Sequence, residues 1–369
     1  MEFIPALTGK PAPTDSEREV FALPPRLGGL GLKNPITRAL EEFSASVKVA
    51  GPLKTLIMEK TWEIPIETWE KQCDAKNEIS RNRRRAEAEI ASQLKSSLPS
   101  ALQHSMTLAQ EKGASSWLTA LPISEFGFTL HKGAFRDALC LRYGWLPSRL
   151  PERCDCGRQF TVEHALSCPK GGFPSLRHNE IRDITAALSA EVCNSVIVEP
   201  HLQPLSGEYL SGASANSQDG ARLDVAMNGL WGGRYEKTYL DIRVFNPFAP
   251  SNRHSNLSTC YRKHENEKKR EYEQRIRNVE HASFSPIVMS CTGGFGRIAT
   301  NTYKRLASLL AEKRNQAYGP TMCWLRCRLS FSLLRSSILA LRGSRSASGR
   351  AIHSPPPIDC AISESQLTN

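Results

Sequence analysis

Long hydrophobic runs are missing from this sequence. Across 369 residues no uninterrupted apolar stretch approaches the ~18 residues that a spanning helix needs, which excludes a spanning helix. The N-terminus, MEFIPALTGKPAPTDSERE, has neither a basic n-region nor an apolar h-region, so no secretory signal is visible. No internal repeat is evident. Acidic residues are also in deficit: 37 Asp and Glu stand against 48 Lys and Arg, a formal net charge of +11, which favours a polyanionic partner, most simply nucleic acid.

A disulfide framework is absent too. Of eleven cysteines, Cys73, Cys140, Cys193, Cys260, Cys291 and Cys360 stand alone, as reduced thiols of an intracellular protein do. Two groupings remain. Cys323 and Cys327 lie four apart on an apolar helical stretch with no histidine pair nearby, and are expected to be core thiols. Cys154, Cys156, His164 and Cys168 fall within fifteen residues, CDCGRQFTVEHALSC. A turn at Gly157 and a short helix carrying His164 and Cys168 on one face would supply four soft ligands, the set a structural zinc requires.

Residues 1–35 are rich in Pro and Gly and read as loops and a tight turn. Residues 36–150 read mostly as helices, with a basic run at Arg81, Arg83, Arg84 and Arg85 that is either a solvated face or a phosphate contact. After the Cys/His segment the chain alternates. A helix at 175–192 precedes strands at 196–202, 222–228 and 237–245, then a charged helix at 258–278, a strand at 283–290 and a closing helix. The glycines of CTGGFGR (Cys291 to Arg297) lack the ending of a phosphate loop and are expected to allow close backbone packing. Residues 319–342 read as a basic helix and 343–369 as a disordered tail.

Two short strands each carry an aspartate, Asp224 and Asp241. Strand alternation puts Tyr239, Asp241 and Arg243 on one face and Leu240, Ile242 and Val244 on the other. Paired carboxylates beside core residues suit Mg2+ or Mn2+. Glu199 and Glu180 are further candidate ligands. Lys268 and Tyr272, four apart on the charged helix, could face the same site, where a lysine would orient water and stabilise a pentacovalent phosphate. The competing reading pairs Asp224 with Arg222 or Arg243 on a solvated sheet face.

The RHN opening the first helix (Arg177, His178, Asn179), R-x-D and D-x-R on successive strands, and EKKREY on the next helix resemble the restriction-enzyme-like endonuclease domain. That domain ends the polyprotein of site-specific non-LTR retrotransposons. There a C-C-H-C zinc knuckle directly precedes the nuclease, and LPPRLGGLGLKNP is similar to the segment after the reverse-transcriptase palm. The resemblance implies an α+β or α/β chain in six parts. These are a loop-rich reverse-transcriptase remnant (1–35), a helical thumb and linker region (36–150), a zinc knuckle (151–172), a PD-(D/E)XK-like core in αβββαβ order (173–318), a basic helix (319–342) and the tail (343–369). It implies catalytic roles for Asp224, Asp241, Lys268 and Tyr272, with Glu199 and Glu180 in support, and nucleic-acid contact by Arg177, His178, Asn179 and Arg243. Leu223 replaces the motif's proline, and Arg243 its strand lysine, so catalysis would rest on Lys268. The implied activity is metal-dependent nicking of target DNA in the nucleus, with Zn2+ structural and Mg2+ or Mn2+ catalytic. The implied partners are DNA and element RNA. No polymerase Y-x-D-D or F-x-D-D occurs in the chain, so by this resemblance the chain would be the C-terminal fragment of an element's protein or a truncated open reading frame, and a reverse transcriptase supplied by another chain is a further implied partner. The alternative is a catalytically inactive DNA- or RNA-binding protein that keeps the fold, or an inert relic.

Overall fold

The computed structural model describes residues 13–345, apart from 62, 209, 211–216, 219 and 254. Most of the tail expected to be disordered therefore lies outside the described residues. The chain forms two compact units that divide between Gln110 and Glu111, within the stretch expected as one helical region. Nearly all of the excess positive charge belongs to the second unit.

The first unit is helical. Residues 1–35 are not all loop: α1 (Asp15–Ala22) starts at Thr14, whose hydroxyl accepts from the Glu17 amide while the Glu17 carboxylate accepts from the Thr14 amide. This reciprocal cap is written in the sequence as T-D-S-E and satisfies two otherwise orphaned donors. The expected tight turn follows, with Gly28 at φ 98°. Helices α2 (Pro35–Met58) and α3 (Ile66–Ser97) then pack together, and α4 (Ser100–Ala109) ends the unit. Arg83 pairs with Glu42 and Lys48 with Glu78, whereas Arg81, Arg84 and Arg85 are exposed.

The second unit holds α5 (Ser116–Thr119), α6 (Lys132–Tyr143), α7 (Val162–Ser167) and α8 (Phe173–Val192). Strands β1 (Asn194–Val198), β2 (Val225–Asn228) and β3 (Lys237–Phe245) follow, then α9 (Leu257–Asn278), β4 (Ser283–Ser290), α10 (Arg297–Lys313) and α11 (Tyr318–Arg342). The four-stranded sheet runs β1-β2-β3-β4; the first three strands are antiparallel and β4 lies parallel to β3, with α9 as the crossover. Strand β1 stops short of the expected residue 202 because Glu199 turns into the left-handed region at φ 50° before Pro200. Asp224 sits one residue ahead of β2 rather than within it.

Side-chain alternation sorts the sheet as the sequence predicts. Val225, Met227, Leu240, Ile242, Ile287 and Met289 pack on one face against Ile181 and Leu188 of α8, Tyr303 and Leu306 of α10, and Leu325 and Leu329 of α11. Helix α11, expected as a basic extension, is thus part of the core. On the other face Ala226 and Tyr239 pack against Tyr272 and Ile276 of α9. Both faces of β2, β3 and β4 are covered while the edge strand β1 is exposed, and Arg222 and Arg243 pair with Glu199 and Glu267, so the expected Asp–Arg pairs are not formed.

Two further expectations change. Cys323 is exposed and Cys327 half-buried, because the apolar stripe of α11 runs through Met322, Leu325, Leu329 and Leu333 and Cys323 is turned away from it. The first residues of the expected disordered tail are held: Arg345 is buried, lies over the rings of Phe160 and Phe173, and donates to the Ala165 carbonyl.

The glycines of the 291–297 loop do serve close packing. A Cβ on Gly294 would lie 2.2 Å from the Glu111 carboxylate, and one on Gly293, at φ 100°, would lie 3.0 Å from the Ala114 backbone. Burial pushes the Glu111 carboxyl up to about 7, against opposing hydrogen bonds from Tyr261 and Ser290. A carboxyl raised in the folded state costs nothing while protonated and destabilises once ionised. Stability should therefore fall by on the order of 3 kcal/mol as pH rises from about 4.5 to 7 and stay level above. Urea unfolding at pH 5 and pH 8 checks this: Glu111→Gln should flatten that fall, and an equal fall in both proteins would contradict it.

Candidate active-site cleft and metal centre

The Cys/His segment folds as a knuckle. Arg153 and Gln159 bridge antiparallel, the Gly157 amide donates to the Cys154 carbonyl, and Gly157 at φ 85° reverses the chain between the first two cysteines and α7. The Thr161 hydroxyl caps α7 by accepting from the His164 amide, and the Cys168 amide closes the helix onto the His164 carbonyl. The four ligand atoms of Cys154, Cys156, His164 and Cys168 all lie within 4.8 Å of one another. Cys154 Sγ and Cys168 Sγ are 3.9 Å apart, and Cys156 Sγ is 3.3 Å from His164 Nε2. A tetrahedral zinc with Zn–S bonds of ~2.3 Å has ligand edges of about 3.8 Å, so the cluster could hold a metal ion such as zinc. Burial and the charges of Arg158 and Arg345 keep His164 below its ordinary value, leaving a neutral imidazole to ligate. All four corners are protein atoms, and such a site is structural.

The second site is a cleft of about 500 Å³ between the start of α8, the β2–β3 pair and α9. Asp224 is built into it by backbone pairing. Its amide donates to the Leu240 carbonyl at 3.2 Å and its Oδ2 accepts from the Ile242 amide. These bonds bracket Asp241, which projects from β3 between them. From α8, His178 Nε2 meets Asp224 Oδ1 at 2.9 Å; this hydrogen bond, partly offset by burial, holds the imidazole above its ordinary value.

Asp241 is only 6% exposed. Burial pushes its carboxyl up to about 6, with the neighbouring Asp224 charge adding to the rise and Lys268 opposing it. Lys268 Nζ lies 3.0 Å from Asp241 Oδ2, and this ion pair is the partner of that buried oxygen. Burial draws the lysine down, but Asp241 and Glu271 outweigh it and leave the ammonium above its ordinary value. Lys268 also rests over the Tyr272 ring, 5.4 Å from its centroid.

Seven of the sequence-predicted residues line this cleft: Asp224, Asp241, Lys268, Tyr272, Glu199, His178 and Asn179. Three do not. Glu180 is exposed and faces Arg335, because two residues beyond His178 is about 200° around a helix. Arg177 is buried and donates to the Leu166 carbonyl, fastening the knuckle to α8 where a DNA contact was expected. Arg243 is held by Glu267 at 2.9 Å and is not among the cleft residues. Glu199 lines the cleft but is not aimed at the aspartates: Arg182 takes Oε1 and Arg222 takes Oε2 at 3.0 Å. Among the described residues, the knuckle is accordingly the one group of three or more His, Cys, Asp and Glu whose ligand atoms converge. Arg182 was missed from the sequence, although it lies four residues after His178 and so on the same helix face.

Neither a protein-family model nor a curated protein matches the chain.

For the knuckle, metal analysis of purified protein should give one zinc per chain, and Cys168→Ser should lower it toward zero together with the melting temperature. Wild-type protein that carries no zinc as purified, with a melting temperature that Cys168→Ser leaves unchanged, would contradict the site.

Proposed function

We propose that the second unit is a divalent-metal-dependent DNA-nicking endonuclease of the PD-(D/E)XK kind, from the target-site nuclease region of a non-LTR retrotransposon protein. The observation that carries this reading is the buried Asp241 carboxylate, beside Asp224 and 3.0 Å from Lys268 in one cleft. Burial and the neighbouring Asp224 charge keep that carboxyl raised despite Lys268, a cost that a bound cation would offset.

The residues fit a hard cation. Asp224 and Asp241 offer oxygen donors, the set that Mg2+ and Mn2+ prefer. Such a cation supplies Lewis-acid polarisation of the phosphate and offsets the charge that develops on it. The protein's own groups divide the remaining work. His178 and the Ile242 amide fix the Asp224 carboxylate. Lys268, seated over Tyr272, orients the attacking water and stabilises the negative charge of the pentacovalent phosphate. It does so in place of the strand lysine that Arg243 replaces. Asn179 and the exposed Arg222 at the rim are suited to the flanking phosphates,. The basic excess of this unit agrees with a nucleic-acid substrate.

One observation favours the inactive alternative. Lys268 pairs with Asp241 and two arginines hold Glu199, an arrangement that is also self-sufficient without a cation. Nicking of supercoiled plasmid with Mg2+ or Mn2+ decides between them. Asp241→Asn and Lys268→Met should each lose on the order of 10²-fold or more in rate. A wild-type protein that shifts labelled DNA in a salt-dependent way yet leaves plasmid intact would establish the binding protein instead.

A further inference from the structure

The acidic pair in the cleft lacks a third ligand, although a third carboxylate stands next to it. Glu199 adopts φ 50°, an unusual conformation for a residue with a side chain. That conformation ends β1 and directs the Glu199 amide to the Asp224 carbonyl at 2.9 Å, so Glu199 and Asp224 are joined by one backbone hydrogen bond. Both line the same cleft as Asp241. What keeps the Glu199 carboxylate from the aspartates is the pair of arginines, one on each oxygen. Arg182 is nearly buried and also held by Asp183, whereas the Arg222 side chain is 59% exposed.

We propose that Glu199 is a cation ligand withheld by Arg182 and Arg222 until a substrate phosphate takes those two arginines. The proposal rests on the nuclease reading of the cleft and adds a regulatory step to it. Three arguments support it. Glu199 is 40% and Arg222 59% exposed on their side chains, so solvent already competes for that pair and its exchange is cheap. Arginine forks match phosphate as well as they match carboxylate, so a phosphodiester at the rim can replace Glu199 without leaving either cation unpaired. Glu199 is backbone-bonded to Asp224 and lines the same cleft as both aspartates, and the number of charged ligands sets the affinity of such sites. The consequence is an enzyme that completes its cation site only on DNA. By linkage, cation and DNA then tighten each other by the same factor.

Calorimetric titration of Mn2+ into the zinc-loaded full chain tests this without reference to turnover. The double variant Arg182→Gln with Arg222→Gln should bind Mn2+ on the order of tenfold more tightly than wild type. Arg222→Gln alone, at an exposed position, should show a smaller gain in the same direction. Adding Glu199→Gln to the double variant should abolish the gain. Absence of any gain overturns the proposal. So does a gain that survives Glu199→Gln, because it would come from charge removal alone. If Mn2+ binding is unchanged by Asp224→Asn, the cleft is not a cation site and the nuclease reading itself falls. If binding needs Asp224 but ignores the arginines, only the withholding of Glu199 falls. On an uncleaved duplex, Ca2+ should tighten binding by wild type but not by Glu199→Gln; equal tightening counts against the proposal.

Discussion

The Asp224 amide donates to the carbonyl of Leu240 and its carboxylate accepts from the amide of Ile242, so one residue closes the sheet on both sides of Asp241. This double hold is the constraint from which the cleft follows. Strand β2 proper begins only at Val225. Ahead of it residues 221–224 stay bonded to residues 199–202, and Glu199, in the left-handed region, lines the same cleft as the two aspartates. The parallel β3–α9–β4 crossover then lays α9 over the same face, and a lysine about three turns from its start reaches the buried carboxylate.

Electrostatic cost explains the surroundings. Two carboxylates on one side of a covered sheet repel each other and lose hydration, which is why the Asp241 carboxyl is pushed up,. His178 and Lys268 offset part of that cost from opposite walls, one from α8 and one from α9. The Asp241 carboxyl nevertheless stays raised, so the walls of the cleft offset only part of that cost. The knuckle stands beside it through Arg177, Arg345 and the start of α8, so a metal at Cys154, Cys156, His164 and Cys168 would brace the helix that supplies His178, Asn179 and Arg182.

Much of this was legible because it depends on periodicity. Strands β3 and β4 have the bounds that their apolar alternation predicts, and the spacing of Lys268 and Tyr272 on one helix face carried through to the cleft. The knuckle's ligands are local in sequence, and their convergence followed from turn and helix geometry. What was misread depends on neighbours distant in the chain. Arg177 falls on the apolar stripe of α8 with Phe173 and Ile181, and its burial was a periodicity signal overridden by its charge. Glu180 was grouped with the site by composition although it lies on the wrong side of the helix. Glu199 was rightly placed in the cleft. Its engagement by Arg182 and Arg222 could not be read, because that depends on how α8 crosses the end of β1. Capping of α1 by Thr14 and Glu17 was legible and overlooked.

The central claim is that Asp224 and Asp241 share one cation. A crystal soaked in Mn2+ and measured at the manganese absorption edge tests it most directly. The account predicts an anomalous peak between the two carboxylates, about 2–2.6 Å from an oxygen of each. Manganese bound elsewhere, with the Lys268–Asp241 pair left closed and no peak in the cleft, would contradict it.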